Sequence, residues 1–191
     1  MTTPTADEIL ARLRAGNARY VNDAVTGDRR CSVRRGKLLE GQAPFAIILS
    51  CADSRVAPEI AFDTGLGELF VCRVAGNIAN TCTIASVEFA VTALGTPVVV
   101  VLGHQSCGAV EAALAAGDQG PNLNHLLSHI EAAKVDVEAD DVDTLVKANA
   151  LRAGRELVAR SSILRSAVEE GRLRIVPAYY ALDDGSVSFL A

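Results

Sequence analysis

Cys51, Asp53 and Arg55 alternate directly after the apolar run of residues 45–50, and His104 and Cys107 follow a second apolar run at 97–102. Two thiols and an imidazole are zinc ligands, with bonds of about 2.0 to 2.3 Å. Structural zinc sites usually close with four Cys or His ligands, whereas catalytic ones use three protein ligands and keep a position for water or substrate. The count here is three. Two thiolates and a neutral imidazole leave Zn²⁺ without net charge, so it acidifies a bound water less than a site with three neutral ligands. Asp53 compensates by accepting a hydrogen bond from a zinc-bound hydroxide and fixing its orientation. Arg55, whose planar fork suits a carboxylate, keeps Asp53 ionised and away from the open position. Two alternatives stand beside this: Asp53 and Arg55 as an ordinary surface ion pair, and zinc as a brace for a noncatalytic binding surface, with Asp53 a permanent fourth ligand.

The ligands converge only if two strands end side by side. Residues 45–50, 69–74 and 97–102 are short, rich in branched apolar side chains and separated by helical stretches, the pattern of a parallel sheet covered on both faces. Sites in such sheets form beyond the carboxyl ends of the strands, and neighbouring strands lie about 4.8 Å apart. Helices are expected at 86–94, at 107–116 and over much of 123–170, where the acidic stretch "DVEADDVD" interrupts them. Residues 172–181 and 187–190 flank the turn signal "DDG", which predicts a closing antiparallel hairpin. Thr5 and Glu8 make a capping-box pattern ahead of a helix carrying Ile9, Leu10, Leu13 and Tyr20, and a second helix is expected at about 31–40. The expectation is one α/β domain with about four parallel strands plus an antiparallel edge strand. Residues 1–40 form a helical arm, 41–118 the zinc-site core, and 119–191 a helical segment and the last strands.

Among nearby residues, Gly103 is read as the turn off its strand. Gly108 opens a helix after Cys107 and could present backbone donors and a positive dipole end to an anion. Gln42, upstream of the first strand, could donate to the same anion. Cys72 and Cys82 read as small buried apolar residues and Cys31 as an exposed thiol. His125 and His129 are four apart, yet Leu126 stands where zinc proteases carry Glu; they read as polar positions on a helix. "GLGELF" lacks the third glycine of a dinucleotide fingerprint and precedes a strand.

The net charge of −5 argues against nucleic acid as a partner, and the basic cluster Arg29, Arg30, Arg34, Arg35 and Lys37 reads as a solvated or intersubunit face. No segment reaches the ~18 apolar residues of a membrane span. An odd count of five cysteines without an export signal disfavours a disulfide framework, and a cytoplasmic protein without membrane partners is expected.

The blocks "GQAPFAIILSCADSRV", "GLGELFVCRVAGN", "SVEFAV" and "VVVVLGHQSCGAV" resemble the β-class carbonic anhydrases, and "LRAGNARYV" extends the likeness to the first helix. The resemblance implies reversible hydration of CO₂ to bicarbonate, with zinc-bound hydroxide attacking carbon. It implies one Zn²⁺ per subunit on Cys51, His104 and Cys107, with Asp53 and Arg55 as the orienting dyad. It also implies that Gln42 and the Gly108 amide contact substrate, that Phe70 lines an apolar pocket, and that Ala75 stands where plant-type members carry Val. In some members the carboxylate corresponding to Asp53 becomes the fourth ligand and closes the site. The Trp-based second bicarbonate site of some bacterial members is not expected, since the chain has no Trp. A homodimer or homotetramer is implied, with the first helix, which finds no evident partner within its own sheet, packed on a neighbouring subunit. Hydrolysis of CS₂ or COS on the same scaffold is the nearest alternative.

Overall fold

The structure is a computed structural model that describes residues 4–115, 117–137 and 141–190. Its elements, numbered in chain order, begin with α1 (Ala6–Val21), α2 (Ser32–Lys37), β1 (Ala46–Ser50), α3 (Pro58–Ala61), β2 (Leu69–Arg73), α4 (Thr81–Ala93) and β3 (Val98–His104). They continue with α5 (Gly108–Ala115), α6 (Pro121–Glu131), α7 (Val142–Arg160), α8 (Ser162–Glu169), β4 (Arg174–Tyr180) and β5 (Val187–Phe189). Short 3₁₀ turns lie at Ala75–Asn77 and Ala132–Asp136.

The strands form one sheet in the order β2-β1-β3-β4-β5, parallel except for the antiparallel edge pair β4 and β5. This is the expected α/β architecture. Val98 to Leu102 are all fully buried, as a central strand covered on both faces requires. Alternation sorts the side chains. Ile47, Leu49, Val99 and Val101 pack with residues of α4, α7 and α8, while Ala46, Ile48, Val98, Val100 and Leu102 pack with α1 and Phe62.

The expectation that α1 lacks a partner in its own chain is overturned. Thr5 and Glu8 form the capping box, and Ile9, Leu10 and Leu13 are 2%, 3% and 0% exposed against the sheet. A sheet that is apolar on both faces needs cover on both, and α1 supplies it on the side opposite α4, α7 and α8. The approach is close: a Cβ on Gly16 would stand 1.9 Å from the Phe62 carbonyl oxygen. Buried Asn17 donates to the carbonyls of Ala61 and Gly185 and accepts from the Val187 amide, tying α1 to the β4–β5 turn.

The basic cluster is likewise turned inward in part. Arg29 pairs with Glu68 at 3.0 Å, and Arg30 and Arg34 donate to the carbonyls of Thr64 and Leu66. Arg12 and Arg19 add ion pairs to Glu68 and Asp63 at 2.7 and 2.6 Å. Burial alone would raise the Asp63 carboxyl, but Arg19 and the Thr26 and Gly27 amides outweigh it and hold it down, to about 2. Two acidic side chains of the core thus clamp the amino-terminal segment.

Element boundaries differ from the expected ones in three places. α2 is shorter. α3, too brief for periodicity to reveal, adds a turn after Pro58. α4 starts at Thr81 because Asn80 caps it, accepting from the Thr83 amide at 2.9 Å. The acidic stretch falls partly on residues 138–140, outside the described residues, while Asp141 caps α7 by accepting from the Thr144 amide. Among the described residues no helix is long and apolar enough to cross a membrane.

Candidate metal centre

Register sets the centre. Ser50 pairs with Leu102, so one further residue places Cys51 level with Gly103, beside His104, which ends β3. Gly103 lies inside the strand, not at a turn as expected from sequence. A Cβ there would stand 2.8 Å from Val146 Cγ1 and 3.3 Å from the Val146 carbonyl oxygen, so glycine lets α7 lie close over β3. The turn itself falls at Ser106, in left-handed backbone with φ 51°, where its amide donates to Asp143 Oδ1 at 3.1 Å. That reversal brings Cys107 back to the amino end of α5.

Cys51, His104 and Cys107 are buried, and their donor atoms lie within 4.8 Å of one another. The two sulfurs are 3.9 Å apart. A disulfide needs about 2.05 Å, whereas two thiolates bonded at about 2.3 Å to one tetrahedral ion sit about 3.8 Å apart. The imidazole is oriented as a ligand too. His104 Nδ1 is 2.9 Å from the Gln105 carbonyl oxygen, to which it donates, leaving Nε2 as the lone-pair atom. Among the described residues Nε2 is buried without a hydrogen-bond partner, a state that costs roughly 1–3 kcal/mol if nothing binds it. The donor set and its spacing fit zinc.

Cys51 receives the Gly76 and Asp53 amides on its sulfur, at 3.3 and 3.4 Å. The Cys107 sulfur is 3.9 Å away, a contact in which either thiol can donate. A proton shared between the two sulfurs, together with the two amides, pulls the Cys51 thiol well down, and the same sharing plus burial pushes Cys107 up. Asp53 is gripped in a fork: Arg55 Nε donates to Oδ1 at 3.0 Å and Nη2 to Oδ2 at 2.7 Å. The guanidinium holds the Asp53 carboxyl far below the usual carboxylate range. Nη2 also donates to the Ser106 carbonyl, so one side chain joins the two ligand-bearing loops. Asp53 Oδ2 lies 3.8 Å from His104 Nε2.

The other expected site residues divide. Ala75 precedes Gly76, whose amide reaches the Cys51 sulfur. Gly108 is the first residue of α5, with no atom within 4 Å of where a Cβ would stand. Phe70 pairs with Ile47, four residues before Cys51 and about 13 Å away along the strand. It packs against Phe89, with ring centroids 6.3 Å apart. Gln42 precedes β1 at the end opposite Cys51. The chain therefore does not bring Gln42 or Phe70 to its own metal centre.

Cys72 is half-buried, and burial pushes its thiol up to about 11. Cys31 is exposed, and so is Cys82, contrary to the expected burial, because Thr83 and Ile84 take the inward side of the first turn of α4 and leave Cys82 on the other. His125 and His129 stack edge to face with centroids 5.4 Å apart. Among the described residues, Cys51, His104 and Cys107 form the one converging group of three ligands.

The sequence reading missed three contributors. Arg73, at the end of β2, donates to the carbonyls of Cys51 at 2.9 Å and Asp53 at 2.5 Å, fixing the backbone between them. Gly76 supplies an amide to the thiolate, and Asn149 on α7 donates to the Gly76 carbonyl at 2.8 Å. Asn149 left a legible signal: a poor helix former in a small-residue stretch of a helix has a reason to be there.

A family model described as carbonic anhydrase matches residues 46–187. The chain belongs to the β-carbonic anhydrase family. Carbonic anhydrase 2 of Mycobacterium tuberculosis is 39% identical over 180 residues, spanning 91% of this chain and 87% of that protein. A Coccomyxa β-carbonic anhydrase, solved in complex with acetazolamide, superposes with a TM-score of 0.76 at 26% identity, covering 99% of this chain and 87% of that one. One of two tetrameric β-carbonic anhydrases from Sordaria macrospora shares the fold, with a TM-score of 0.76 at 23% identity over 97% and 98% of the two chains. The chain is thus a lyase of the carbonate dehydratase type, and the noncatalytic reading falls.

Proposed function

We propose that the chain hydrates CO₂ reversibly to bicarbonate and a proton with one zinc ion held by Cys51, His104 and Cys107. The observation that carries this is the buried, unpartnered His104 Nε2 facing two sulfurs whose separation suits a single tetrahedral ion. Bound there, zinc supplies Lewis acidity that lowers the pKa of a water in its open position, an effect that reaches about 7 in carbonic anhydrases with three imidazole ligands.

The chain's own groups do the rest. Asp53, kept ionised by Arg55, would accept a hydrogen bond from the O–H of the attacking oxygen and so aim that oxygen's lone pair at the carbon of CO₂. Because both carboxylate oxygens are engaged by Arg55, Asp53 stays out of the substrate's place. The Gly108 amide and the amino end of α5 present partial positive charge to the anionic product. Ala75 leaves room beside Cys51. Arg73 holds the Cys51–Asp53 backbone so that ligand and orienting carboxylate keep a fixed relation.

The same reading makes the protein a homodimer or homotetramer in the cytoplasm. Gln42 and Phe70 lie too far from their own centre to serve it and could reach only that of a second copy, and the Sordaria relatives are tetrameric. A reducing compartment suits thiolate ligands. Stopped-flow CO₂ hydration on protein of measured zinc content is the test. Activity proportional to zinc, lost in Cys107→Ala, is expected; a zinc-free active protein would overturn the assignment.

A further inference from the structure

Zinc thiolates are tuned by the hydrogen bonds that reach their sulfurs, and such outer partners typically govern metal affinity by 10–100-fold. At Cys51 one of the two amide donors, Gly76, belongs to a 3₁₀ turn that no regular ladder fixes. Gly76 sits in left-handed backbone at φ 69°, and a Cβ there would lie 2.5 Å from Ile130 Cδ1. The turn is held instead from above. Asn149 is 2% exposed, seventy-three residues away in sequence, and its Nδ2 donates to the Gly76 carbonyl at 2.8 Å. Among the described residues Asn149 makes no hydrogen bond to Cys51, His104 or Cys107.

We propose that Asn149 is a positioning residue for the metal centre: by clamping the Ala75–Asn77 turn it keeps the Gly76 N–H aimed at the Cys51 sulfur, and so sets how much charge that thiolate gives the metal. An N–H···S bond withdraws electron density from sulfur. A site with two thiolates, formally neutral once zinc is bound, gains Lewis acidity from each such bond. Without the clamp, Gly76 loses the partner of its carbonyl, and the turn can rotate its amide away from sulfur. An unpaired, buried Gly76 carbonyl is the cost that Asn149, a weak helix former, is placed to remove.

The inference rests on Cys51 being a metal ligand, and the test separates the two claims. Wild type, Asn149→Leu and the milder Asn149→Ser are loaded with Co²⁺, and the sulfur-to-cobalt charge-transfer band is recorded. Zinc release from the zinc-loaded proteins to a chelator is timed in parallel. Leu157→Ala, on the same helix but buried in the cluster facing α4 and α8, controls for lost stability. The expected result is a shifted band and zinc release about 10–100-fold faster in both Asn149 variants, with Leu157→Ala less stable yet unchanged in band and release. A wild-type band and release rate in Asn149→Ser, or equal zinc loss in Leu157→Ala, reduces Asn149 to a structural residue. Absence of any charge-transfer band in wild type would instead refute the metal assignment itself.

Discussion

Replacing Arg55 by Ala should close the site from within. The substitution removes both guanidinium bonds to Asp53, at 3.0 and 2.7 Å, and leaves the residue-55 amide on Oδ1 at 2.9 Å. Oδ2 then has lost the one hydrogen bond it receives among the described residues. That oxygen lies 3.8 Å from His104 Nε2. Two light-atom ligands bonded at about 2.0 to 2.1 Å to one tetrahedral ion lie about 3.4 Å apart, so the 3.8 Å separation leaves a gap that Oδ2 must cross by swinging toward the ion His104 would bind. The last torsion of Asp is broad and soft, and a small rotation covers that gap. The freed carboxylate should take the open position. Zinc content should stay at one per chain while CO₂ hydration falls by at least about 10²-fold, the scale on which a group misplaced by an ångström acts. In the Co²⁺ form, thiocyanate should change the spectrum of wild type but not of Arg55→Ala. Adding Asp53→Ala to that variant should restore the response. Full activity in zinc-loaded Arg55→Ala, or a double variant that still ignores thiocyanate, would refute the reasoning.

The arm gives a contest of signs. Gly16→Ala gains about 1 kcal/mol of helix propensity but drives a methyl into the Phe62 carbonyl. Overpacking of roughly 1–3 kcal/mol, with part of the burial of Ile9, Leu10 and Leu13 lost, should win, lowering the urea midpoint. Gly36→Ala, with open space around it, should instead stabilise by up to about 1 kcal/mol; a raised midpoint for both would detach α1 from its own core. Asp63 is depressed from 3.8 to about 2. The stability it contributes is therefore present above its unfolded value and is lost as pH falls from about 4 toward 2. Asp63→Asn should flatten the acid limb of the stability profile in that window, and an unchanged limb would clear Asp63 of the role. With two thiolates on the metal, CO₂ hydration should climb into the alkaline range, so a profile peaking well below neutrality contradicts the charge argument.

Cys51, Asp53, Arg55, His104 and Cys107 were legible because chemistry restricts residue types far more tightly than packing does. Few pairings other than a metal explain two thiols and an imidazole at strand ends. The parallel strands were legible for a related reason: a strand covered on both faces must be apolar throughout, and Val98 to Leu102 are. Boundaries were read less well. α3 is a single turn, and α4 gains its first turn from the Asn80 side chain, a local bond that periodicity does not register.

What the sequence determined by itself is the set of candidate metal ligands, the carboxylate–guanidinium pair and the order of strands and helices, since each is written in consecutive residues. Only the tertiary structure decided that α1 covers its own sheet, that Gly103 serves helix packing, that Gln42 and Phe70 lie away from their own centre, and that Asn149 reaches the turn beside Cys51. These depend on which surfaces meet between residues that lie well apart in the chain, 43 positions for Gly103 and Val146 and 73 for Gly76 and Asn149. A single buried hydrogen bond such as that from Asn149 to Gly76 leaves no periodic trace along the sequence, because its two ends are neighbours only once the sheet and α7 have packed.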